Sequence, residues 1–238
     1  MDSSYGCRRH HRYQTLLFLV CVIAVVASCS TGLVSLSPMQ SVDWQPAQSC
    51  LPANIQNTTV VKIKDVTFLP TQVSFQQKSV QGGPVFQLTG EAGISYEGIL
   101  YRPVALRIVA PSDHAVVSLP FLMELQIFAV SENALPVAVS IFVRKGASQS
   151  NEALHQLITS SNGQDQINFA NLRPQYGGHY RYTGSLPVPP CKEIRWLVMK
   201  SSITASVSDF EEYLKRWPHQ KVRPFLNDET SVLIEETE

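Results

Sequence analysis

The chain has 238 residues with 19 basic and 19 acidic side chains, so its formal net charge is zero. That balance excludes an electrostatic reader of nucleic acid, which needs a basic face to displace counterions from the phosphate backbone. Hydrophobic residues make up 44% of the chain, with no repeat or low-complexity tract, which suits one large globular domain or two small ones.

The N-terminus departs from that pattern. Arg8, Arg9, His10, His11 and Arg12 form a basic cluster, and the apolar run LLFLVCVIAVVA follows from Leu16 to Ala27. Basic then apolar is the order of a secretory signal, with the small residues ASCST as a cleavage region. Counting Ser, Thr, Gly and Cys as tolerated, the uncharged stretch reaches Leu36. Those 21 residues just span a bilayer, and the basic flank stays on the cytosolic side. VASC, ending at Cys29, also fits a bacterial lipoprotein box. The chain thus divides into a basic segment 1–14, a signal or membrane anchor 15–36 and a folded domain 37–238. That domain is expected on the non-cytosolic side, either membrane-anchored or secreted.

Cys7, Cys21 and Cys29 lie in or beside the apolar segment, leaving Cys50 and Cys191 for the folded part. In an oxidising compartment these two can form one disulfide, typically worth ~2–4 kcal/mol; in the cytosol they would be two buried thiols. Asn57-Thr58-Thr59 is a glycosylation sequon.

Beyond the anchor the chain reads as short strands. They are VVKIKDVTF (60–68), VSFQQKSV (73–80), PVFQLTG (84–90), YRPVALRIV (101–109), FLMELQIFAV (121–130), VAVSIFV (137–143) and IRWLVMK (194–200). Their Val, Ile and Phe partly alternate with polar residues. Gly and Pro separate them at QGGP (81–84) and NLRPQYGG (171–178), the latter predicting a turn at His179. NEALHQLI predicts a helix with Leu154, Leu157 and Ile158 on one stripe. SDFEEYLKRW predicts a second, with Phe210, Tyr213, Leu214 and Trp217 as its apolar face, Ser208 and Glu211 as a capping box, and Pro218 as the stop. The class is mainly β with peripheral helices.

One strand carries an anomaly. Side chains alternate along a strand, so Glu124, Gln126 and Phe128 share one face, opposite Met123, Leu125 and Ile127. Two polar groups therefore occupy one side of an otherwise apolar segment, where they meet water or belong to a polar site.

YRYTGSLPVPPC (180–191) resembles the alpha-class carbonic anhydrases, whose corresponding stretch reads Y-R-Y-x-G-S-L-T-T-P-P-C. APSDHAV (110–116) is similar to that family's x-P-S-E-H-T-V, and MELQIF (123–128) to M-E-L-H-L-V. LPANIQ (51–56), NLRP (171–174) and KVRPFLN (221–227) also fit, so the likeness spans about residues 45 to 233. The resemblance implies a large, twisted, mostly antiparallel sheet of about ten strands with short peripheral helices.

It also implies a chemistry. In that family two histidines of an H-x-H pair and the histidine of E-L-H hold zinc. The ion lowers the pKa of its bound water to about 7 and so supplies hydroxide to attack carbon dioxide. A threonine of S-L-T-T accepts the hydroxide's proton, oriented by the glutamate of P-S-E-H. At the matching positions this chain has Arg107 and Val109 for the H-x-H pair and Gln126 for the third histidine. Pro187 and Val188 replace the two threonines, and Asp113 replaces the orienting glutamate. His114, Glu124, Tyr182 and Ser185 match positions that support the metal shell. No pair of histidines in the domain has ligand spacing, so no metal or cofactor is expected.

The resemblance therefore implies a catalytically inactive carbonic-anhydrase-like protein, a binding or structural module that is membrane-attached or secreted. A protein partner or a place in a membrane assembly is expected, while zero net charge disfavours glycosaminoglycans. The alternatives are a residual zinc-dependent dehydratase with relocated ligands, and a small-molecule binder using the vacated pocket. A buried carboxylate without its metal is costly, so Arg107 is expected to pair with Asp113 or Glu124.

Overall fold

The computed structural model describes residues 53–55, 58–62, 65–78, 83–132, 136–146, 149–160, 165–187, 192–218 and 233–237. The expected signal or anchor at 15–36, the Cys50–Cys191 bridge, the Asn57 sequon, Val188 and the KVRPFLN match lie outside these residues. No helix among the described residues is long and apolar enough to cross a membrane.

Among the described residues one mixed sheet of 13 strands forms the framework, and ten of them form a continuous path. In chain order these are Thr58–Lys62 (β1), Gln72–Lys78 (β2), Val85–Thr89 (β3), Ile99–Val109 (β4) and Met123–Val130 (β5). Val137–Lys145 (β6), Gln166–Asn168 (β7), His179–Ser185 (β8), Glu193–Met199 (β9) and Leu233–Thr237 (β10) complete it. The spatial order is β7-β2-β3-β4-β5-β6-β9-β8-β10-β1. Along this path only β6 with β9 and β10 with β1 pair in parallel; off the path the end of β6 also pairs in parallel with Ile203–Ala205, and the sheet is mostly antiparallel, as the resemblance implied. Pro103 in β4 has no N–H to give the ladder, and the register with β5 shifts there, between Phe128 and Ala129.

Two helices lie on one face. Asn151 caps the first, Glu152–Thr159 (α1), by accepting from the Leu154 N–H. Its expected stripe of Leu154, Leu157 and Ile158 is fully buried. The second, Val207–Arg216 (α2), begins earlier than its capping box suggested. Ser206, not Ser208, is the cap, accepting from the Asp209 N–H at 3.1 Å. Either serine is a competent acceptor, and starting at Ser206 adds two residues to the helix. Tyr213 is buried and donates to the Ile108 carbonyl at 3.0 Å. Leu214 stays 40% exposed, so the apolar face is narrower than expected. His155 Nδ1 lies 2.9 Å from buried Asp209 and ties the two helices together. Beneath them sit Leu106, Ile108, Leu125, Ile127, Val139 and Ile141 in one apolar layer, each contributing roughly 1.5–3 kcal/mol by burial.

Two expectations are corrected. VVKIKDVTF is not one strand: β1 pairs with β10 at the sheet edge, whereas Thr67–Phe68 pairs with Ile94–Tyr96. Asp65 separates the two, accepting from the Val66 N–H and pairing with Arg173. Such local carboxylate-to-backbone bonds compete with the strand ladder. His179, expected in a turn, is instead the first residue of β8, only 1% exposed and edge-on to Tyr96. The turn ends one residue earlier, at Gly178, whose φ of +84° suits glycine.

Burial, reinforced by the cations of Arg181 and Lys200, pulls the His179 imidazole down to about 4 from its usual 6.5. The unfolded chain takes up this proton below about pH 6.5 while the folded chain refuses it until about pH 4. Stability linked to His179 is therefore complete above that window and falls as pH drops through it. The urea midpoint should be lower at pH 5 than at pH 7, and His179→Phe should flatten that slope. Equal slopes in the two proteins would place the loss on other groups.

Candidate functional site

The face of the sheet opposite the helices carries the polar residues singled out in the sequence. Cross-strand partners share a face, and the register sets Gln126 between Arg107 of β4 and Ser140 of β6, with Glu124 between Val109 and Phe142. Arg107, Val109, Glu124 and Gln126 are thereby brought together at the middle of the sheet, each less than a tenth exposed. Neither Glu124 nor Gln126 meets water, so the polar side of FLMELQIFA belongs to an internal network.

Asp113 and His114 reach the same place from the segment between β4 and β5. Arg107 Nη1 donates to Asp113 Oδ2 at 2.7 Å and to Gln126 Oε1 at 3.1 Å. Gln126 Nε2 donates onward to Asp113 Oδ2 at 3.2 Å and to Glu124 Oε1 at 2.9 Å. The expected ion pair thus forms with Asp113, and the Gln126 amide bridges it to the second carboxylate. An amide can do this because it offers an acceptor and two donors on one planar group.

Both carboxylate oxygens of Glu124 are engaged. Oε1 accepts from Gln126 and from Ser140 Oγ at 2.8 Å and lies 2.7 Å from His114 Nδ1; Oε2 accepts from the His114 N–H at 2.8 Å. Burial alone would raise this carboxyl, but the charge and hydrogen bonds of His114, with that of Gln126, bring it to about 2. Its contribution is present above the usual 4.5 and is lost as pH falls from there toward 2.

His114 Nε2 lies 2.5 Å from the Tyr182 hydroxyl. Burial, with Glu124's charge behind it, holds the Tyr182 phenol well above its usual range. The phenol therefore keeps its proton, and the His114 ring is held between it and Glu124. Trp196 lies 4.7 Å from the His114 ring, and Phe121 stacks on Phe142 at 4.0 Å, so apolar rings wall the network.

Ser185 ends β8, and its carbonyl accepts from Trp196 Nε1 at 3.1 Å. Pro187 is buried just beyond. Ser140 and Trp196 were not foreseen as site residues. Ser140 had a signal, being the one polar residue within VAVSIFV; Trp196 had none, because an aromatic in a strand reads as core.

Arg107, Val109 and Gln126, which the resemblance sets at zinc-ligand positions, do not fit the ion. Zinc takes neutral imidazoles, thiolates or carboxylates converging tetrahedrally. Arg107 is a permanent cation with five donors and no acceptor. Val109 has no donor atom, and the one acceptor of Gln126 faces Arg107. Among the described residues, no group of three or more His, Cys, Asp or Glu is arranged to hold a metal ion.

A family model described as eukaryotic-type carbonic anhydrase matches residues 107–227. The carbonic anhydrase of Neisseria gonorrhoeae is 23% identical over 195 residues, covering 77% of this chain and 76% of its own. That of Pectobacterium atrosepticum is 26% identical over 167 residues, covering 65% and 68%. Among solved structures, the alpha-carbonic anhydrase of Photobacterium profundum superposes with a TM-score of 0.69 at 20% identity. That match covers 98% of this chain and 100% of the other.

Removing Arg107 leaves the buried Asp113 carboxylate without its counter-charge. Arg107→Met is expected to destabilise the fold by about 3–5 kcal/mol. Arg107→Met combined with Asp113→Asn should recover a large part of that loss, because the remaining amide needs no counter-charge. Urea denaturation of the two variants reads the difference, and an unchanged midpoint for Arg107→Met would show that the pair holds nothing.

Proposed function

Since this chain belongs to the carbonic anhydrase family, we propose that it is a member without hydratase activity, serving as a binding or structural module. What supports this reading most is a single observation: the guanidinium of Arg107, paired with Asp113, stands where the family places its first zinc ligand. A cation already neutralises that carboxylate, and a second, divalent one would be repelled by it. Pro187 adds to the argument, since a proline has neither the hydroxyl nor the N–H that would orient an attacking hydroxide.

The role assigned is one of contact. Residues 15–36 attach the domain to a membrane on its non-cytosolic side, and a protein partner or a membrane assembly is the destination. This part rests on the basic-then-apolar order of the N-terminus.

The full chain should contain far less than one zinc per molecule by elemental mass spectrometry and should hydrate carbon dioxide no faster than buffer in stopped flow. Stoichiometric zinc accompanied by hydration would overturn the proposal in favour of a relocated metal site. N-terminal sequencing of the mature protein is expected to read Met1 or Asp2; a start beyond Leu36 would remove the anchor but leave the catalytic reading untouched.

A further inference from the structure

Between Asp113 and Glu124 the chain makes a small hairpin, Ala115–Val116 against Leu119–Pro120, with Val117 and Ser118 as its two turn residues. Their φ angles are +50° and +61°. Positive φ at both central positions is the type I′ arrangement, for which Asn-Gly is the favoured pair. A β-branched residue such as Val117 is strained there. Val117 is nevertheless 66% exposed and Leu119 70% exposed. The turn thus holds apolar side chains outward at a position where polar residues would fold more easily.

The base of the hairpin is fixed. The Phe121 N–H donates to Ser112 Oγ at 2.8 Å, the Ser112 N–H donates to the Phe121 carbonyl at 3.1 Å, and the Phe121 ring is stacked inward on Phe142. From Ala115 to Met123 no residue carries a charge.

The chain arriving from the N-terminus runs alongside this element. Asn54–Ile55 pairs in parallel with Ala115–Val116, and the Val117 N–H donates to the Ile55 carbonyl at 2.8 Å. Seventeen residues lead from Leu36 to Ala53, a reach of at most about 60 Å when extended. The tip is therefore tethered within range of any bilayer that residues 15–36 occupy.

We propose that the Val117–Leu119 tip is a lipid-contacting element, seated in the interface of the bilayer that holds residues 15–36. The inference rests on the membrane-attached reading above. A convex, uncharged tip lacks the aromatic and arginine anchors that dominate protein interfaces. A bilayer interface asks only for apolar side chains with no complementary shape.

Tryptophan fluorescence of the full chain in phosphatidylcholine vesicles tests it, using lipids with brominated acyl chains as quencher and the wild type, with Trp44, Trp196 and Trp217, as background. The fluorescence added by Leu119→Trp, which sits in regular strand outside the strained turn, should fall about twofold or more in brominated vesicles. The fluorescence added by Leu214→Trp, on α2 across the sheet, should not fall. No quenching at Leu119→Trp while Met1–Leu36 is intact by N-terminal sequencing overturns the lipid contact alone. Equal quenching at both sites overturns it too, as does crosslinking of the tip to a co-purifying protein or a second copy. A mature chain that begins beyond Leu36 and floats free of vesicles removes the anchor and this inference together.

Discussion

Glu124 puts a full negative charge in the central region of a sheet that is closed to water at that point, and an ionised carboxylate there requires donors on every side. The fold supplies them from four places: a backbone N–H and a ring nitrogen of His114, an amide from its own strand at Gln126, and a hydroxyl from Ser140 on β6. Those contacts fix the register of β4, β5 and β6 as firmly as the apolar layer behind them does. A slip of one residue would turn Glu124 and Gln126 into the helix-covered core and Leu125 into the polar network. The site is thus part of the specification of the fold.

The network closes on itself through its own side chains. In a relative with zinc, a divalent charge balances the carboxylates around it. Here Arg107 and Asp113 form a neutral pair, Gln126 joins that pair to Glu124, and His114 with Tyr182 completes the chain of hydrogen bonds. Each replacement supports the others: a guanidinium needs an acceptor, and the Gln126 oxygen provides one that an imidazole N–H would not. Reverting any one of them alone would therefore leave a buried group without its complement.

Much of this was legible in the sequence because it rests on period-two alternation. The placement of Glu124 and Gln126 on one face and of Leu125 and Ile127 on the other follows from spacing alone, as does the buried stripe of α1. The partners of the site were less visible. Arg107 was identified through motif likeness, but its choice of Asp113 over Glu124 depends on the path of the segment after Val109, which no periodicity encodes. The errors share a cause. VVKIKDVTF alternates on either side of Lys64-Asp65, and Asp65 diverts the backbone at that break in phase, while the start of α2 was set by which of two serines caps it, a choice between nearly equal local options. His179 was assigned to the turn because glycines precede it, whereas its pairing with Met199 on β9 decides its place.

The hairpin shows where local preference and global fold disagree, and such disagreements concentrate at positions under functional constraint. Its stem is determined from both sides: Ser112 and Phe121 bond to each other, Phe121 stacks on the wall of the site, and the strand arriving at Ala53 pairs along its outer edge. A stem held so firmly can carry a turn that its own residues disfavour. Packing explains why the strain persists but not why Val117 and Leu119 face outward, since polar side chains would satisfy the stem equally well. An apolar surroundings at the tip resolves the mismatch. The network beneath is bounded by the same segment, Asp113 at one end of the hairpin and Glu124 at the other. A contact at the tip would thus be braced against a densely hydrogen-bonded part of the molecule, the part that in an enzyme of this family would hold the reacting ion.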